Sequence, residues 1–368
     1  MKEALLYKKF PPKADQPRAE KNKQVQCLAC NHYCKIADGR RGICGVRENR
    51  DGKLYSLIYG KIIAKHVDPI EKKPFFHFLP GSQSLSIATI GCNFRCLYCQ
   101  NADIAQISKV YGESVESKGY FFEKPVVSLL NSKEIPGEDL RPRDIVEETL
   151  ARGLPSISYT YTEPTVFIEF ALDTMKLARK RGLKNTWITN GYTSKEGLKL
   201  ALPYLDAANV DLKGFTEEFY NKVCGAKLKP VLETLKAMKK AGVWIEITTL
   251  IVPGQNNTRE HFEGIANFIA KVLGKETPWH ISRFFPAYKL MDTLPTSLET
   301  LEYAYNLGKK AGLDYVYLGN FPADKREDTF CPKCGTKMID RTGYAISRHD
   351  KDGKCARCGQ DLNLILNH

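Results

Sequence analysis

From about residue 85 to about residue 325 the chain alternates short apolar, β-branched runs with longer amphipathic segments, and nothing else in it restricts the fold as much. Strand-like runs fall at 86–90, 156–160, 185–189, 207–212, 244–252 and 280–284, with a candidate seventh at 315–318. Between most of them, 143–152, 166–181, 230–241, 258–273 and 297–311 carry apolar residues at helical spacing. A helix between two strands carries the chain back to its starting edge, so successive strands run parallel. Repetition of that unit predicts an α/β barrel, and a stretch of this length predicts only part of one. Residues 107–142 interrupt the rhythm and read as an inserted segment, of the kind that more often covers a site than merely spaces two elements.

At 368 residues, 43% of them hydrophobic, the chain has the size and composition of a globular protein of two or three domains. No uninterrupted apolar run reaches the roughly 18 residues of a membrane span. The N-terminus lacks the apolar core of a secretory signal, so the expected location is cytoplasmic. In that reducing compartment cysteines are expected to bind metals rather than pair with one another. Eleven of the 12 fall into three sets: Cys27/Cys30/Cys34/Cys44, Cys92/Cys96/Cys99 and Cys331/Cys334/Cys355/Cys358. Cys224 stands apart and reads as a small buried residue, with hydrogen exchange near a substrate as its other reading. The expected division is an N-terminal four-Cys metal-binding subdomain at 1–84, the α/β unit at 85–325, and a small C-terminal domain at 326–368.

The middle set is the chemically pointed one. Three thiolates at CxxxCxxC spacing, with no nearby fourth, ligate three irons of a four-iron cluster and leave one iron open. A pure electron carrier keeps that corner closed, so an open corner implies bound chemistry. A structural zinc completed by a distant histidine is the other reading. The set follows the first apolar run, at the end of a strand where parallel barrels build their working face. Other polar residues obey the same rule: Glu163 after the second strand, Asn190 after the third, Asp211 and Lys213 after the fourth, Gln255 and Asn256 after the fifth. Arg283 and Tyr288 come at or after the sixth, and Asn320 after the candidate seventh. Placed in sequence order around one rim, they describe a single cavity.

These residues sit in stretches that together resemble the radical S-adenosylmethionine (SAM) superfamily. The chain looks most similar to the AmmeMemoRadiSam-system enzymes, relatives of pyruvate formate-lyase activating enzyme. The matching stretches include Cys27-Leu-Ala-Cys-Asn-His-Tyr-Cys34, His66-Val-Asp-Pro-Ile-Glu-Lys-Lys-Pro74, the cluster motif through Asn101, Tyr159-Thr-Tyr-Thr-Glu-Pro164, Thr189-Asn-Gly191, Asp211-Leu-Lys213 and His280-Ile-Ser-Arg-Phe-Phe-Pro286. The resemblance implies a partial (β/α)6 TIM-type barrel whose Cys92, Cys96 and Cys99 hold a [4Fe-4S] cluster. It further implies that Glu163 receives the SAM amino group, with Tyr161 and Thr162 standing where the family's GGEP motif has glycines. Asn190 approaches the ribose or carboxylate of SAM, Tyr98 offers its face or backbone to the purine, and Asp211 with Lys213 holds the methionine carboxylate, with a monovalent cation as a further component. The implied reaction cleaves SAM to methionine and a 5′-deoxyadenosyl radical that takes hydrogen from a substrate. The implied partners are SAM, a reductant such as flavodoxin or ferredoxin, and an unidentified polypeptide. An RNA substrate is the alternative, and a non-catalytic zinc protein binding nucleic acid is the reading from a different class.

Both flanking sets are metal sites by spacing. Cys331-x2-Cys334 and Cys355-x2-Cys358 are paired knuckles of a zinc ribbon, expected to supply a small tail with folding free energy, with nucleic-acid docking through Arg341, Arg348 and Arg357 as the other role. Cys27, Cys30, Cys34 and Cys44 fit zinc or a second iron–sulfur cluster, zinc being preferred as a fold anchor. The net charge of +13 invites a nucleic-acid reading. Yet its basic clusters at Arg179–Arg181, Lys239–Lys240 and Lys309–Lys310 each end a helix before a glycine, where cations offset the helix dipole. They are expected on the rim opposite the polar one.

Overall fold

The computed structural model describes residues 1–10, 23–106, 135–321 and 325–366. Eight strands form one sheet: β1 (Ala64–Pro69), β2 (Gln83–Ala88), β3 (Ser156–Tyr159), β4 (Lys184–Thr189), β5 (Ala207–Asp211), β6 (Trp244–Ile251), β7 (Trp279–Arg283) and β8 (Val316–Gly319). They lie side by side in chain order. β2 to β8 are parallel and β1 is antiparallel on the β2 edge. The candidate seventh parallel strand is therefore present as β8. β1 was not foreseen: its charged sequence, Ala-Lys-His-Val-Asp-Pro, hides its pairing with β2. The sheet thus takes in chain on the N-terminal side of residue 85. Most of the interrupting segment at 107–142 lies outside the described residues. Its end is seen, where Glu138–Asp139 pairs with Lys61–Ile62.

Six helices connect the parallel strands: α1 (Pro142–Ala151), α2 (Ile168–Lys180), α3 (Lys195–Ala201), α4 (Leu228–Lys240), α5 (Arg259–Phe268) and α6 (Leu298–Lys310). α3 is short and contains Gly197, so it leaves little periodicity to read. The glycine is required by packing, since a Cβ there would meet the Ala29 carbonyl at 2.9 Å. Ser194 caps α3 by accepting from Gly197 N at 3.0 Å. The basic last turns of α2, α4 and α6 lead directly toward β4, β6 and β8, on the rim away from the strand C-termini.

Alternation along the strands separates two faces. Leu85, Ile87, Ile157, Tyr159 and Trp187 belong to the main apolar core. On the other face Ser84 meets Ser158 at 2.7 Å and Ser158 meets Thr186 at 2.8 Å, a buried polar row that crosses three strands. Part of that face is closed by the connection between β1 and β2, where Ile70, Phe75, Phe78 and Leu79 pack on Ala207. Buried Glu246 of β6 anchors this connection. It accepts from the backbone N–H groups of Phe76 and His77, each at 2.9 Å, and contacts His280 Nε2 at 2.7 Å.

The N-terminal pieces form two three-stranded sheets, Tyr7–Lys9 with Val25–Cys27 and Lys35–Ile36, and Lys2–Glu3 with Lys53–Ser56 and Arg47–Arg50. Arg47 fixes them to α2 through a buried two-pronged ion pair with Glu169, at 3.0 and 2.6 Å. Removing one partner of such a pair strands the other charge, at a cost of about 3–5 kcal/mol. The C-terminal hairpin, Lys337–Thr342 with Ala345–Arg348, is held by buried Arg341. Its guanidinium donates to the Phe76 carbonyl at 2.9 Å and lies 4.1 Å from the Phe76 ring. Arg341 is therefore a structural bolt and not the nucleic-acid contact envisaged for it. Arg348 is likewise engaged, paired with Asp350.

The Glu246 cluster gives the fold a signed response to acid. Burial disfavours the Glu246 charge, but His280, His77 and the Phe76 N–H outweigh it and hold its pKa down at about 2, against 4.5 ordinarily. Burial pushes His77 down to about 4 from 6.5, against the pull of Glu246. His77 thus contributes stability that is complete above pH 6.5 and is lost as the pH falls toward about 4, and the Glu246 contribution is lost below that. The thermal midpoint should fall over this range. His77→Gln should flatten the fall, because it retains a hydrogen-bonding side chain without the titration, worth up to roughly 3 kcal/mol. An equally steep fall in the variant would refute the assignment.

Candidate active site

The loop after β2 carries Cys92, Cys96 and Cys99, placing all three at the C-terminal end of the parallel strands. Backbone bonds from Arg95 N to Cys224 O, 2.8 Å, and from Leu97 N to Val223 O, 3.0 Å, hold the loop against residues 223–224. The Lys289 N–H donates to Leu97 O at 2.9 Å, which ties the loop after β7 to the same place. Gly91, with φ of 94°, opens the loop. A side chain there would strike Val46 at 2.7 Å and approach the Cys44 carbonyl to 3.2 Å. The first cysteine set therefore backs directly onto the second. His32 Nε2 adds a contact with the Asn93 carbonyl at 2.8 Å.

Glu163 caps the turn after β3 and is 1% exposed. Its carboxylate accepts from Thr165 N at 3.0 Å, Thr165 Oγ1 at 2.6 Å, Thr189 Oγ1 at 2.9 Å and Asn190 N at 2.9 Å. Burial raises its pKa, and these donors act against that rise. Both oxygens bind protein donors, so Glu163, expected to receive the SAM amino group, also joins the loop after β3 to the loop after β4. Asn190 continues the chain of contacts, donating to Asn93 Oδ1 at 2.7 Å and lying 3.7 Å from Cys92 Sγ. Asn101 donates to the Tyr161 carbonyl at 2.8 Å, and Thr162 Oγ1 to the Thr89 carbonyl at 2.9 Å. Three loops are thereby fixed to one another around the triad.

Asp211 and Lys213, at and after the end of β5, form a half-buried ion pair at 2.8 Å. Burial opposes the lysine charge, but Asp211, Cys96 and Cys224 outweigh it and raise the Lys213 pKa. A permanent cation therefore stands beside the triad. Tyr98 is 2% exposed, with its ring stacked on Phe219 and its hydroxyl 3.8 Å from Cys224 Sγ. Its ring is engaged within the core, so a purine-facing role for the ring gains no support. Cys224 is fully buried in that contact. Asn256 knits the rim, accepting from Val252 N at 2.6 Å and donating to Lys213 O at 2.6 Å.

His280 and Phe284 are buried, and His280 belongs to the Glu246 cluster. Arg283 and Asn320 do meet, through Asn320 Nδ2 and the Arg283 carbonyl at 3.3 Å. Sequence reasoning missed Asn93, whose only signal was its place between two cysteines. It also missed the set of Asp68, Lys73 and Tyr161. Lys73 donates to Asp68 at 2.7 Å and lies 4.1 Å from the Tyr161 ring, while the Tyr161 hydroxyl also donates to Asp68. Burial lowers Lys73 to about 8.

The donor chemistry suits an iron–sulfur cluster. Cys92 Sγ receives the Phe94 N–H at 3.4 Å, Gln106 hydrogen-bonds Cys99, and the sulfurs are not gathered to the spacing of a single ion. The C-terminal cysteines differ: Cys331–Cys358 and Cys334–Cys355 are each 3.6 Å apart, and all four sulfurs lie within 4.8 Å.

A sequence profile of the radical SAM superfamily matches residues 86–269. An uncharacterized protein of Methanocaldococcus jannaschii is 45% identical over 369 residues, covering 100% of both chains. The pyruvate formate-lyase-activating enzyme of Clostridium pasteurianum is 23% identical over 195 residues, covering 52% of this chain and 72% of its own. Among solved structures, a domain of the pyruvate formate-lyase-activating enzyme from Bacteroides vulgatus aligns with 44% of this chain and 98% of its own, at 18% identity and a TM-score of 0.39. With a matching cysteine triad, a parallel sheet that delivers it, and a profile spanning half of its length, the chain belongs to the radical SAM superfamily and is a radical SAM enzyme.

Proposed function

We propose that this enzyme takes hydrogen from a polypeptide, as an activase or a modifying enzyme, using a [4Fe-4S] cluster on Cys92, Cys96 and Cys99 and SAM bound at the adjoining rim. The observation that carries the reading is the triad beside a half-buried cation, Lys213, at the end of parallel strands. The chain order of β2 to β8 is also what a partial barrel requires. Cys92, Cys96 and Cys99 would hold the cluster, whose chemistry there would be one-electron reductive cleavage of SAM to methionine and a 5′-deoxyadenosyl radical. The protein's part is positioning. Lys213 and Asp211 would receive the methionine end of SAM, and Asp211 would help to hold a monovalent cation there. Asn190 sets the entrance beside Cys92, and Glu163 keeps the surrounding loops at fixed spacing. The buried aromatic layer of Phe94, Tyr98 and Phe219 keeps water from the triad's inner side. A flavodoxin or ferredoxin is the proposed reductant and the cytoplasm the proposed location. No helix among the described residues is long and apolar enough to cross a membrane.

The similarity to an enzyme that activates pyruvate formate-lyase supports the polypeptide reading. The RNA alternative loses support because Arg341 is buried and the basic helix ends lie away from the triad. A non-catalytic zinc protein is excluded by membership of an enzyme superfamily. The C-terminal set is proposed to hold zinc as a structural clip, given its close sulfur spacing.

Anaerobically reconstituted protein with dithionite and SAM should release 5′-deoxyadenosine, and alanine at any of Cys92, Cys96 or Cys99 should abolish this. Unchanged release in all three variants would sink the cluster assignment. Lys213→Met should weaken SAM binding roughly 10- to 100-fold, the loss of one charge-assisted hydrogen bond, with iron content unaltered. Deuterium from labelled deoxyadenosine should appear in a protein partner, and its transfer to RNA instead would reverse the substrate choice. Cys334→Ala should cost one bound zinc and lower the thermal midpoint, while deoxyadenosine release persists.

A further inference from the structure

We infer that Cys27, Cys30, Cys34 and Cys44 hold a second four-iron, four-sulfur cluster rather than zinc. The four thiols line one shared cavity together with Arg47, Thr165 and Val166. A tetrahedral ion with zinc–sulfur bonds of about 2.3 Å gathers its thiolates to roughly 3.8 Å from one another. This protein shows what that looks like, in the 3.6 Å sulfur pairs of the C-terminal set. Among the described residues no other group of cysteines is gathered within 4.8 Å, although all four N-terminal ones are described. A four-iron cluster carries one thiolate on each iron and so holds its ligands farther apart than a single ion does. The N-terminal set shares its open spacing with the Cys92 triad. That last comparison rests on the cluster proposed above, whereas the cavity and the contrast with the C-terminal set do not.

The cavity wall supplies a second, independent observation. Arg47 lines it and is 2% exposed. Its two terminal nitrogens bind Glu169, while Nε has no hydrogen-bond partner among the described residues. The guanidinium acts electrostatically on Cys27 and Cys44. A buried N–H left without an acceptor is costly, and a cluster sulfur or its thiolate ligand supplies that acceptor. Four thiolates close all four irons, so this cluster binds no SAM. Its position is adjacent to the triad: Thr165, which lines the cavity, also binds Glu163, and Cys44 backs onto Gly91.

The variant Cys92→Ala/Cys96→Ala/Cys99→Ala isolates the site. Reconstituted anaerobically with iron and sulfide, it should retain roughly four irons per chain. After dithionite it should show a paramagnetic resonance signal that added SAM leaves unshifted. A further change of Cys27→Ala and Cys30→Ala should remove those irons while circular dichroism stays that of the folded protein. A triple variant that binds no iron, whether or not it takes up zinc in its place, overturns the assignment. Failure of the triad's own cluster would show separately, in a Cys27→Ala/Cys30→Ala protein whose signal does not shift with SAM.

Discussion

The geometry of the rim depends on one buried carboxylate. Glu163 gathers donors from its own turn and from Thr189 and Asn190 on the neighbouring loop, and so converts two independent strand ends into one rigid ledge. Asn190 can then reach Asn93 and Cys92 only because its backbone is already fixed. Burying a carboxylate is costly unless its oxygens are paired, and four donors within 3.0 Å meet that condition here. A site that must hold a reactive species in place gains from loops that cannot drift, and this arrangement takes the freedom out of three of them.

A parallel sheet divides the molecule by polarity as well as by shape. Each of β2 to β8 delivers its following loop to the same rim, where the cysteine triad, the Asp211–Lys213 pair and the Glu163 network collect. The helices return the chain to the opposite rim, where the basic residues of α2, α4 and α6 offset helix dipoles. A formal charge of +13 therefore says little about ligands. Some of its positive residues sit at helix ends, and two of its arginines, Arg47 and Arg341, are buried structural bolts.

Those bolts show how the flanking pieces serve the centre. Arg47 attaches the N-terminal sheets to α2 and brings the Cys44 backbone against the start of the triad loop. Arg341 and the Ile365 backbone attach the C-terminal hairpin beneath the β1–β2 connection, which in turn rests on Glu246. The triad is thus supported from behind by one cysteine set, while the other secures the far side of the sheet.

The order of strands and helices, the three cysteine sets and the polar positions at strand ends were legible in the sequence because each is a local property: periodicity, spacing, or a residue placed after an apolar run. Spacing equally revealed that Cys331, Cys334, Cys355 and Cys358 form one group. What neighbours a side chain across the fold was not legible. Nothing along the chain shows that Glu163 meets Thr189 and Asn190 of the next loop, that Glu246 holds His280, or that Phe76 covers Arg341. β1 was missed because a charged edge strand lacks the apolar signature and is recognised only through the partner it pairs with. Periodicity and spacing are set by bonds along the chain; burial, partnership and the distance between thiols are set by segments far apart in it, and only the folded structure brings those together.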